Sequence, residues 1–234
     1  RTLTPAAGDP PPVDPPVDPK PSPTAPPALR TGRAVLFHYP VPGTPDLSIS
    51  DALVGLIDRT PSGEAIVLSY FVIQPHHPVI DALLRAYGRG VRVRVVLDSG
   101  DGQKAKKNAA VDAAYARLAE MLGTAGDSFA RQCNRSCITD EPESINHNKF
   151  AAGSRIDDAD SVTFQNTGNL RAAGSGDSAY HAAVVLRGDR TTYDQYVGYF
   201  DDLYSERRVS EDNYDAYRRP VTSGPVTAHF FPRT

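Results

Sequence analysis

The sequence lacks long hydrophobic runs, and none approaches the roughly 18 uninterrupted apolar residues that a membrane-spanning helix needs. It also lacks an excess of charge, because 25 lysines and arginines face 28 aspartates and glutamates, a formal net charge of -3. This balance excludes the broad basic surface of a dedicated duplex-binding protein, although a local basic groove is compatible with it. The chain begins at Arg1 rather than methionine, and we expect a processed, soluble protein that is secreted.

Cysteine is scarce, with only Cys133 and Cys137, which stand close together in the chain. In an exported protein this spacing suits a small disulfide loop, and we expect the two residues to be joined. Two reduced thiols in a surface loop are the alternative. A zinc site is disfavoured because only two thiols are available and their spacing to His147 fits no familiar closed ligand set.

Proline is concentrated at one end of the chain. Residues 1–30 hold eleven of the 21 prolines, cannot form a core and should populate extended polyproline geometry. We therefore assign 1–31 to a proline-rich linker and 32–222 to one folded lobe. The segment 223–234 contains a glycine, a short apolar run, aromatics and a proline, the layout with which the lobe begins. We interpret it as the first strand of a truncated second lobe.

Strand and helix patterns alternate beyond the linker. Residues 65–71 and 91–97 have the composition of buried strands, and apolar residues at helical spacing lie between them. Parallel neighbours need crossover connections of this kind. We expect an α/β fold, a mixed and mostly parallel β-sheet flanked by helices on both faces. Residues 124–146 lack periodicity and are predicted to form a long loop.

The strongest local signal is the segment Asn146-His147-Asn148-Lys149-Phe150. Successive side chains of a strand point to opposite faces, so His147 and Lys149 share one face while Phe150 turns into the core. A neutral imidazole can attack phosphorus, and an adjacent ammonium can hold a phosphate oxygen and stabilise the developing charge. We assign His147 and Lys149 as the catalytic residues of a phosphoryl transfer that needs no metal or cofactor.

A second polar element, which contains Thr167 and Asn169, follows another predicted strand. The Thr167 hydroxyl and the Asn169 amide can bind phosphate oxygens of the substrate or orient the histidine. An ordinary polar turn is the alternative, because asparagine and glycine are common turn residues.

Four further histidines lie near the predicted strand ends. His76 and His77 follow a proline in a loop, and we assign this pair to a solvated turn rather than to metal binding. His38 ends the first predicted strand, where substrate contact and simple packing are both open. His181 precedes a later strand, from which it can reach the pocket.

These motifs resemble the phospholipase D superfamily, whose signature is His-x-Lys-x4-Asp followed by a Gly/Ser-x-Asn segment. The likeness runs from about Gly32 to Tyr204, and the cysteine pair ahead of His147 looks like a bacterial exported branch of the family. The resemblance implies a phospholipase D-like α-β-α lobe with hydrolase or phosphatidyltransferase activity. Its reaction would cleave phosphodiester bonds, first of all in phospholipid head groups, through a phosphohistidine intermediate without a cofactor.

The sequence departs from the family signature in two respects. Ser154 occupies the position of the aspartate in the signature. In family members the carboxylate of this aspartate is associated with orienting the histidine or with supporting the structure. Asp157 or Asp158 would substitute for it if the following loop folds back. The sequence also has a single His-x-Lys motif, whereas family members generally combine two, one histidine attacking and the other protonating the leaving oxygen. The resemblance therefore implies a second lobe or a homodimer partner.

Two other functions fit the same residues. One is a dimeric nuclease of the same superfamily, in which Lys104, Lys106 and Lys107 contact a phosphate backbone, although they equally suit a solvated helix face. The other is a non-catalytic lobe that binds phosphorylated ligands or a partner chain. We rank phospholipid above nucleic acid because the chain is close to neutral, and contact with a membrane surface is compatible with this ranking.

Overall fold

The computed structural model describes residues 32–99, 109–139, 141–171, 176–210 and 214–231. The proline-rich linker 1–31 and the lysines at positions 104, 106 and 107 lie outside these residues, so the predictions made for them are untested. The described residues form nine strands and five helices. The strands are Gly32–Phe37 (β1), Ala65–Tyr70 (β2), Arg92–Leu97 (β3), Phe129–Gln132 (β4), Lys149–Ile156 (β5), Ala159–Asn166 (β6), Ala182–Arg187 (β7), Val221–Ser223 (β8) and Val226–Ala228 (β9). The helices are Ser48–Asp58 (α1), Pro78–Gly88 (α2), Ala109–Leu122 (α3), Arg190–Ser205 (α4) and Tyr214–Tyr217 (α5).

A seven-stranded sheet with the order β1-β7-β6-β5-β2-β3-β4 forms the centre of the lobe. Strands β2, β3 and β4 pair in parallel, and the other neighbouring pairs are antiparallel. The α/β fold with a mixed sheet is confirmed, but its parallel share is smaller than expected. A tight turn joins β5 to β6, and no helix among the described residues separates β6 from β7, so these strands return antiparallel.

The two faces of the sheet bury two cores, as the alternation of strand side chains requires. Ile66 and Leu68 of β2 face the core that contains α1, α2 and α3, whereas Val67 faces a core of aromatic residues from α4. Strand β2 is thus covered on both sides, which explains why its sequence is a continuous apolar run. None of the helices in the described ranges is long and apolar enough to cross a bilayer.

Helix α2 shows how the sequence sets an element boundary. Pro78 occupies the first turn, where a missing N–H is harmless, and the side chain of His77 caps the helix by accepting a hydrogen bond from the backbone N–H of Val79. The helix ends just before Gly90, whose φ of 87° lies in the left-handed region that glycine tolerates. His77 is also buried, at 4% exposure, and its assignment to a solvated turn was wrong.

The loop expected over residues 124–146 contains a fourth strand of the sheet. β4 is the outermost strand of the sheet and pairs in parallel with β3. The prediction missed β4 because this strand has only four residues and half of them are polar. The expected disulfide joins Cys133 and Cys137 directly after this strand. The described residues contain no group of three His, Cys, Asp or Glu side chains placed to hold a metal ion.

The last described residues pack on the same lobe. β8 and β9 form a two-stranded hairpin, and the buried ring of Phe230 lies 5.1 Å from Tyr196 and 4.9 Å from Tyr199 of α4, measured between ring centroids. The short strand expected within 223–234 is present as β9, but it pairs with β8 rather than with the seven-stranded sheet. Its assignment to a second lobe stays a prediction.

Candidate functional site

The polar residues that the sequence analysis selected lie along one edge of the sheet, the edge that is formed by the ends of its strands. β2 and β6 end at this edge, whereas β5 and β7 begin there. The last residue of β2, Tyr70, pairs with Lys149, the first residue of β5, and Asn166 at the end of β6 pairs with Ala183 of β7. The segments that contain His147, Thr167 and the residue before β7 therefore meet at one edge.

His147 and Lys149 lie on the same side of the backbone. Both contact the ring of Phe71, with 4.8 Å between the centroids of the imidazole and phenyl rings and 5.6 Å from Lys149 Nζ to the phenyl centroid. The amide of Asn148, the residue between them, points the other way and donates to the hydroxyl of Tyr199 in α4 at 3.1 Å. The alternation of strand side chains thus brings the imidazole and the ammonium together, as expected.

The imidazole and the ammonium differ in exposure and in charge. His147 is exposed, but partial desolvation, and then the positive charge of Lys149, lower its pKa and favour the neutral ring. Lys149 is only 5% exposed, and burial lowers its pKa to about 8. Its Nζ donates to the carbonyl oxygen of His147 at 3.0 Å, and no carboxylate among the described residues pairs with it. The site therefore combines a neutral imidazole with a buried cation, which suits an anionic substrate.

The lowered pKa of Lys149 predicts a pH-dependent affinity for phosphate. Affinity for inorganic phosphate should fall by about tenfold between pH 7 and pH 9, because the ammonium loses its proton above pH 8. Competitive inhibition by phosphate measures this. The Lys149→Arg variant is the matched control, since a guanidinium stays charged, and it should keep its affinity at pH 9. An equal fall in both proteins would show that the ammonium does not bind the anion.

Buried side chains that the sequence analysis missed support the segment before β5. Asn146 is 1% exposed, and its amide nitrogen donates to Ser69 Oγ at 3.0 Å. Its backbone N–H donates to the carboxylate of Asp98 at 2.7 Å, directly after β3. These bonds fix the point at which the chain enters β5 and therefore the direction of His147. The positions of Asp98 at a strand end and of Asn146 beside the His-x-Lys motif were the available signals.

Thr167 and Asn169 lie at the same edge but differ in exposure. Thr167 is exposed, and its hydroxyl lies 3.1 Å from Nδ1 of His181 while it accepts a hydrogen bond from the backbone N–H of Ala182. Asn169 is buried, at 6% exposure. The structure therefore brings Thr167 to His181. The expectation that Thr167 and Asn169 bind phosphate oxygens stays a prediction.

The other histidines have separate environments. His38 is buried, its Nε2 accepts a hydrogen bond from the backbone N–H of Ile49 at 3.3 Å, and its ring lies 6.1 Å from that of His181. The packing of His38 against helix α1 therefore explains why this residue is buried. His77 lies 3.5 Å from the carboxylate of Asp177, measured from Nε2 to Oδ2. His76 is exposed.

Ser154, at the position of the family's aspartate, lies at the far end of β5 from His147. It is five residues from Lys149, a separation of about 17 Å in an extended strand. Its hydroxyl donates to Glu64 at 2.7 Å and accepts from the backbone N–H of Ala65 at 2.8 Å, so Glu64 supplies a carboxylate at this point. Asp157 binds Arg59 at 2.8 Å in the turn after β5. The loop that contains Asp157 and Asp158 does not fold back towards His147.

The Ser154–Glu64 contact predicts the effect of restoring the aspartate. Ser154→Asp should lower the free energy of unfolding by about 1–2 kcal/mol, because it places two carboxylates together and removes a hydroxyl donor. Turnover should not change, because His147 is remote. Urea unfolding and a turnover assay measure both effects, and Glu64→Gln in the same chain should restore stability through an amide donor. A large gain in turnover from Ser154→Asp would contradict this structural role.

Comparisons with known proteins extend these observations. A family model described as "Cardiolipin synthase, PLD-like domain" matches residues 53–204, more than half of the chain. Nuc from Salmonella typhimurium, described as a phospholipase D family member, is 17% identical over 75% of this chain and 96% of its own, with a TM-score of 0.51. NucT from Helicobacter pylori is 12% identical over 75% of this chain and 98% of its own, with a TM-score of 0.51.

A polyphosphate kinase from Porphyromonas gingivalis has the same fold over a smaller part of its length. It is 14% identical over 74% of this chain and 26% of its own, with a TM-score of 0.50. No curated protein sequence gives a significant match. At these identities the solved structures show a shared fold. The family model spans most of the lobe, including the strand ends that contain His147 and Lys149, and the chain therefore belongs to the phospholipase D superfamily.

Proposed function

We propose that this protein is a secreted phosphodiesterase that cleaves phospholipid head groups through a phosphohistidine intermediate on His147. The observation that carries this proposal is the exposed, neutral imidazole beside the buried ammonium of Lys149 at the strand ends. Membership of the phospholipase D superfamily supports the phosphodiester chemistry.

The proposed reaction has two steps. A ring nitrogen of His147 forms a bond to phosphorus, and the bond from phosphorus to the head-group oxygen breaks with its electron pair on that oxygen. Lys149 holds a non-bridging oxygen and stabilises the charge of the transition state. Water, or another alcohol, then attacks phosphorus and displaces the imidazole. A proton donor for the leaving oxygen is required, and a second lobe or a second copy of the chain is one source.

Exposed aromatic residues at the same edge support a lipid substrate. Tyr39 is 70% exposed and Tyr180 is 75% exposed, although their rings contact one another at a centroid distance of 6.4 Å. Phe37 is also exposed and lies 6.2 Å from Tyr39. Tyr39 and Tyr180 directly follow and precede His38 and His181, so they border the site. Amphipathic rings of this kind favour the interface between lipid and water.

The disulfide and the single motif support two further parts of the proposal. A disulfide between Cys133 and Cys137 persists in oxidising compartments, which supports secretion. One His-x-Lys motif per chain supports assembly with a second lobe or with a second copy of the chain.

The substrate is tested on phosphatidylcholine vesicles and on plasmid DNA in parallel. We expect the purified chain to release choline and the His147→Ala variant to release none. Nicking of DNA without choline release would instead identify a nuclease. Silence on both substrates, with phosphate binding intact, would identify a binding lobe.

A second comparison tests the lipid surface. The triple variant Phe37→Ser, Tyr39→Ser, Tyr180→Ser should lose activity on vesicles but keep activity on a soluble short-chain phosphatidylcholine. Equal activity of the variant and the wild type on vesicles would contradict a role for these rings in contacting lipid.

A further inference from the structure

We infer that Tyr199 of helix α4 is a positioning residue of the proposed site. It connects the start of β5, where His147 and Lys149 lie, to a segment that follows β9. This segment consists of Phe230 and Phe231, and we name it the C-terminal clamp. The inference rests on the proposed function and deepens it, because it assigns a support to that same site.

The hydroxyl of Tyr199 stands in the middle of a chain of hydrogen bonds. It accepts from the side-chain amide of Asn148 at 3.1 Å and donates to the carbonyl oxygen of Phe231 at 3.2 Å. Asn148 separates His147 from Lys149 and projects from the opposite face of the strand. The hydroxyl therefore joins the backbone of the clamp to the residue between the two proposed catalytic side chains.

Tyr196, three residues earlier in α4, makes a second connection to β5. Its hydroxyl donates to Gln165 Oε1 at 3.1 Å, and Gln165 Nε2 donates to the carbonyl oxygen of Lys149 at 3.3 Å. Residues three apart lie on one face of a helix, so α4 presents both hydroxyls on the same side. The two tyrosines together hold consecutive residues at the start of β5.

The ring of Phe230 packs against both tyrosines. It is 5% exposed, and its centroid lies 5.1 Å from that of Tyr196 and 4.9 Å from that of Tyr199. Tyr214 of α5 also donates to the carbonyl oxygen of Phe231, at 3.4 Å, so two phenols fix this one carbonyl. The clamp therefore contacts both connections at their tyrosine ends.

Both tyrosines remain hydrogen-bond donors in this environment. Burial raises the pKa of Tyr196 and of Tyr199 to about 12, so each phenol keeps its proton at neutral pH. Hydrogen bonds shielded from water are stronger than exposed ones, and bonds in a chain polarise one another. Because a displacement of about 1 Å can cost roughly 10²-fold in rate, the loss of this support should be visible in turnover.

The Tyr199→Phe variant tests the connection, because it removes only the hydroxyl. On a soluble p-nitrophenyl diester we expect kcat to fall by roughly 10- to 100-fold. Tyr204→Phe is the matched control, since Tyr204 lies on the same helix and stacks on Phe129 of β4 at a centroid distance of 4.3 Å. This control should keep the wild-type kcat. An unchanged kcat in Tyr199→Phe would overturn the inference.

A double-mutant cycle separates positioning from a general loss of stability. Asn148→Ala removes the amide that donates to Tyr199. If Tyr199 acts through this amide, the combined variant Asn148→Ala, Tyr199→Phe should be no slower than Asn148→Ala alone. Losses in kcat that multiply in the combined variant would instead show that Tyr199 does not position the site through Asn148.

Separate replacement of the two phenylalanines tests the clamp. Phe230→Leu keeps a buried apolar side chain but removes the ring that contacts the tyrosines, and it should lower kcat by roughly tenfold. Phe231→Leu is the matched control, because the side chain of Phe231 is 64% exposed and its bond with Tyr199 is made by the backbone. Equal kcat values in these two variants would overturn the role of the clamp.

Affinity for inorganic phosphate gives a readout that does not depend on turnover. Burial lowers the pKa of Lys149 to about 8, and a loosened start of β5 admits water, so the pKa should rise towards the ordinary lysine value. The fall in phosphate affinity above pH 8 should therefore move to higher pH in Tyr199→Phe and stay in place in Tyr204→Phe. An unshifted profile in Tyr199→Phe would overturn the inference. Full turnover by His147→Ala would refute the proposed function alone, because the phosphate profile reports on Lys149.

Discussion

Replacement of His147 by alanine is expected to lower turnover by roughly four orders of magnitude or more, because it removes the proposed nucleophile. The lobe should remain folded. His147 is exposed, and its ring contact with Phe71 is worth at most about 1.5 kcal/mol. The measurement is kcat on a soluble p-nitrophenyl diester, together with urea unfolding of the same preparation.

The control for this prediction is His76→Ala. His76 is exposed and lies in the loop before α2, so its loss should leave turnover and stability unchanged. A well-folded His147→Ala variant that retains full activity would contradict the assignment of the nucleophile. A variant that is inactive and also unfolded would instead show that the ring contact with Phe71 contributes more than expected.

Replacement of Lys149 by methionine is expected to inactivate the enzyme and to stabilise the fold. Loss of the charge that binds the transferring group should cost roughly 10²–10³-fold in kcat. The free energy of unfolding should rise by about 1–4 kcal/mol, because an apolar chain of similar length replaces a buried ammonium that no carboxylate among the described residues neutralises. A loss of activity together with a gain in stability is typical of functional residues that lie in an energetically unfavourable environment.

The pH dependence of this stabilisation follows from the pKa of Lys149. The folded chain releases the proton near pH 8, whereas the unfolded chain keeps it up to the ordinary lysine value of 10.5. Between these values the unfolded chain binds more protons, so the wild type gains stability as the pH rises. The difference between the variant and the wild type should therefore be largest below pH 8 and shrink towards pH 10. A less stable variant at neutral pH would show that the ammonium is well paired in the fold.

Strong periodicity made much of the fold predictable from the sequence. The apolar run at β2 reflects burial on both faces of the strand, and the helical spacing at α1 and α2 reflects burial on one face of each helix. The observed elements agree with both patterns. The period of two in a strand was enough to place His147 and Lys149 on one side. These are local regularities, which a single sequence contains in full.

Features that depend on distant residues were not predictable. β4 is short and half of its residues are polar, and it forms a strand only because the backbone of β3 pairs with it. His77 is buried because the carboxylate of Asp177, a hundred positions away in the chain, lies next to it. The contact between Ser154 and Glu64 likewise joins two segments that no spacing rule connects. Tertiary contacts of this kind decide burial and pairing, and the sequence pattern does not encode them locally.

Capture of the covalent intermediate tests the proposed chemistry most directly. A soluble phosphodiester is mixed with the protein, the reaction is quenched within one turnover, and peptides are mapped by mass spectrometry. The account predicts an acid-labile phosphoryl adduct on the peptide that contains His147, and no adduct in His147→Ala. Turnover without any adduct, or an adduct on another residue, would contradict it.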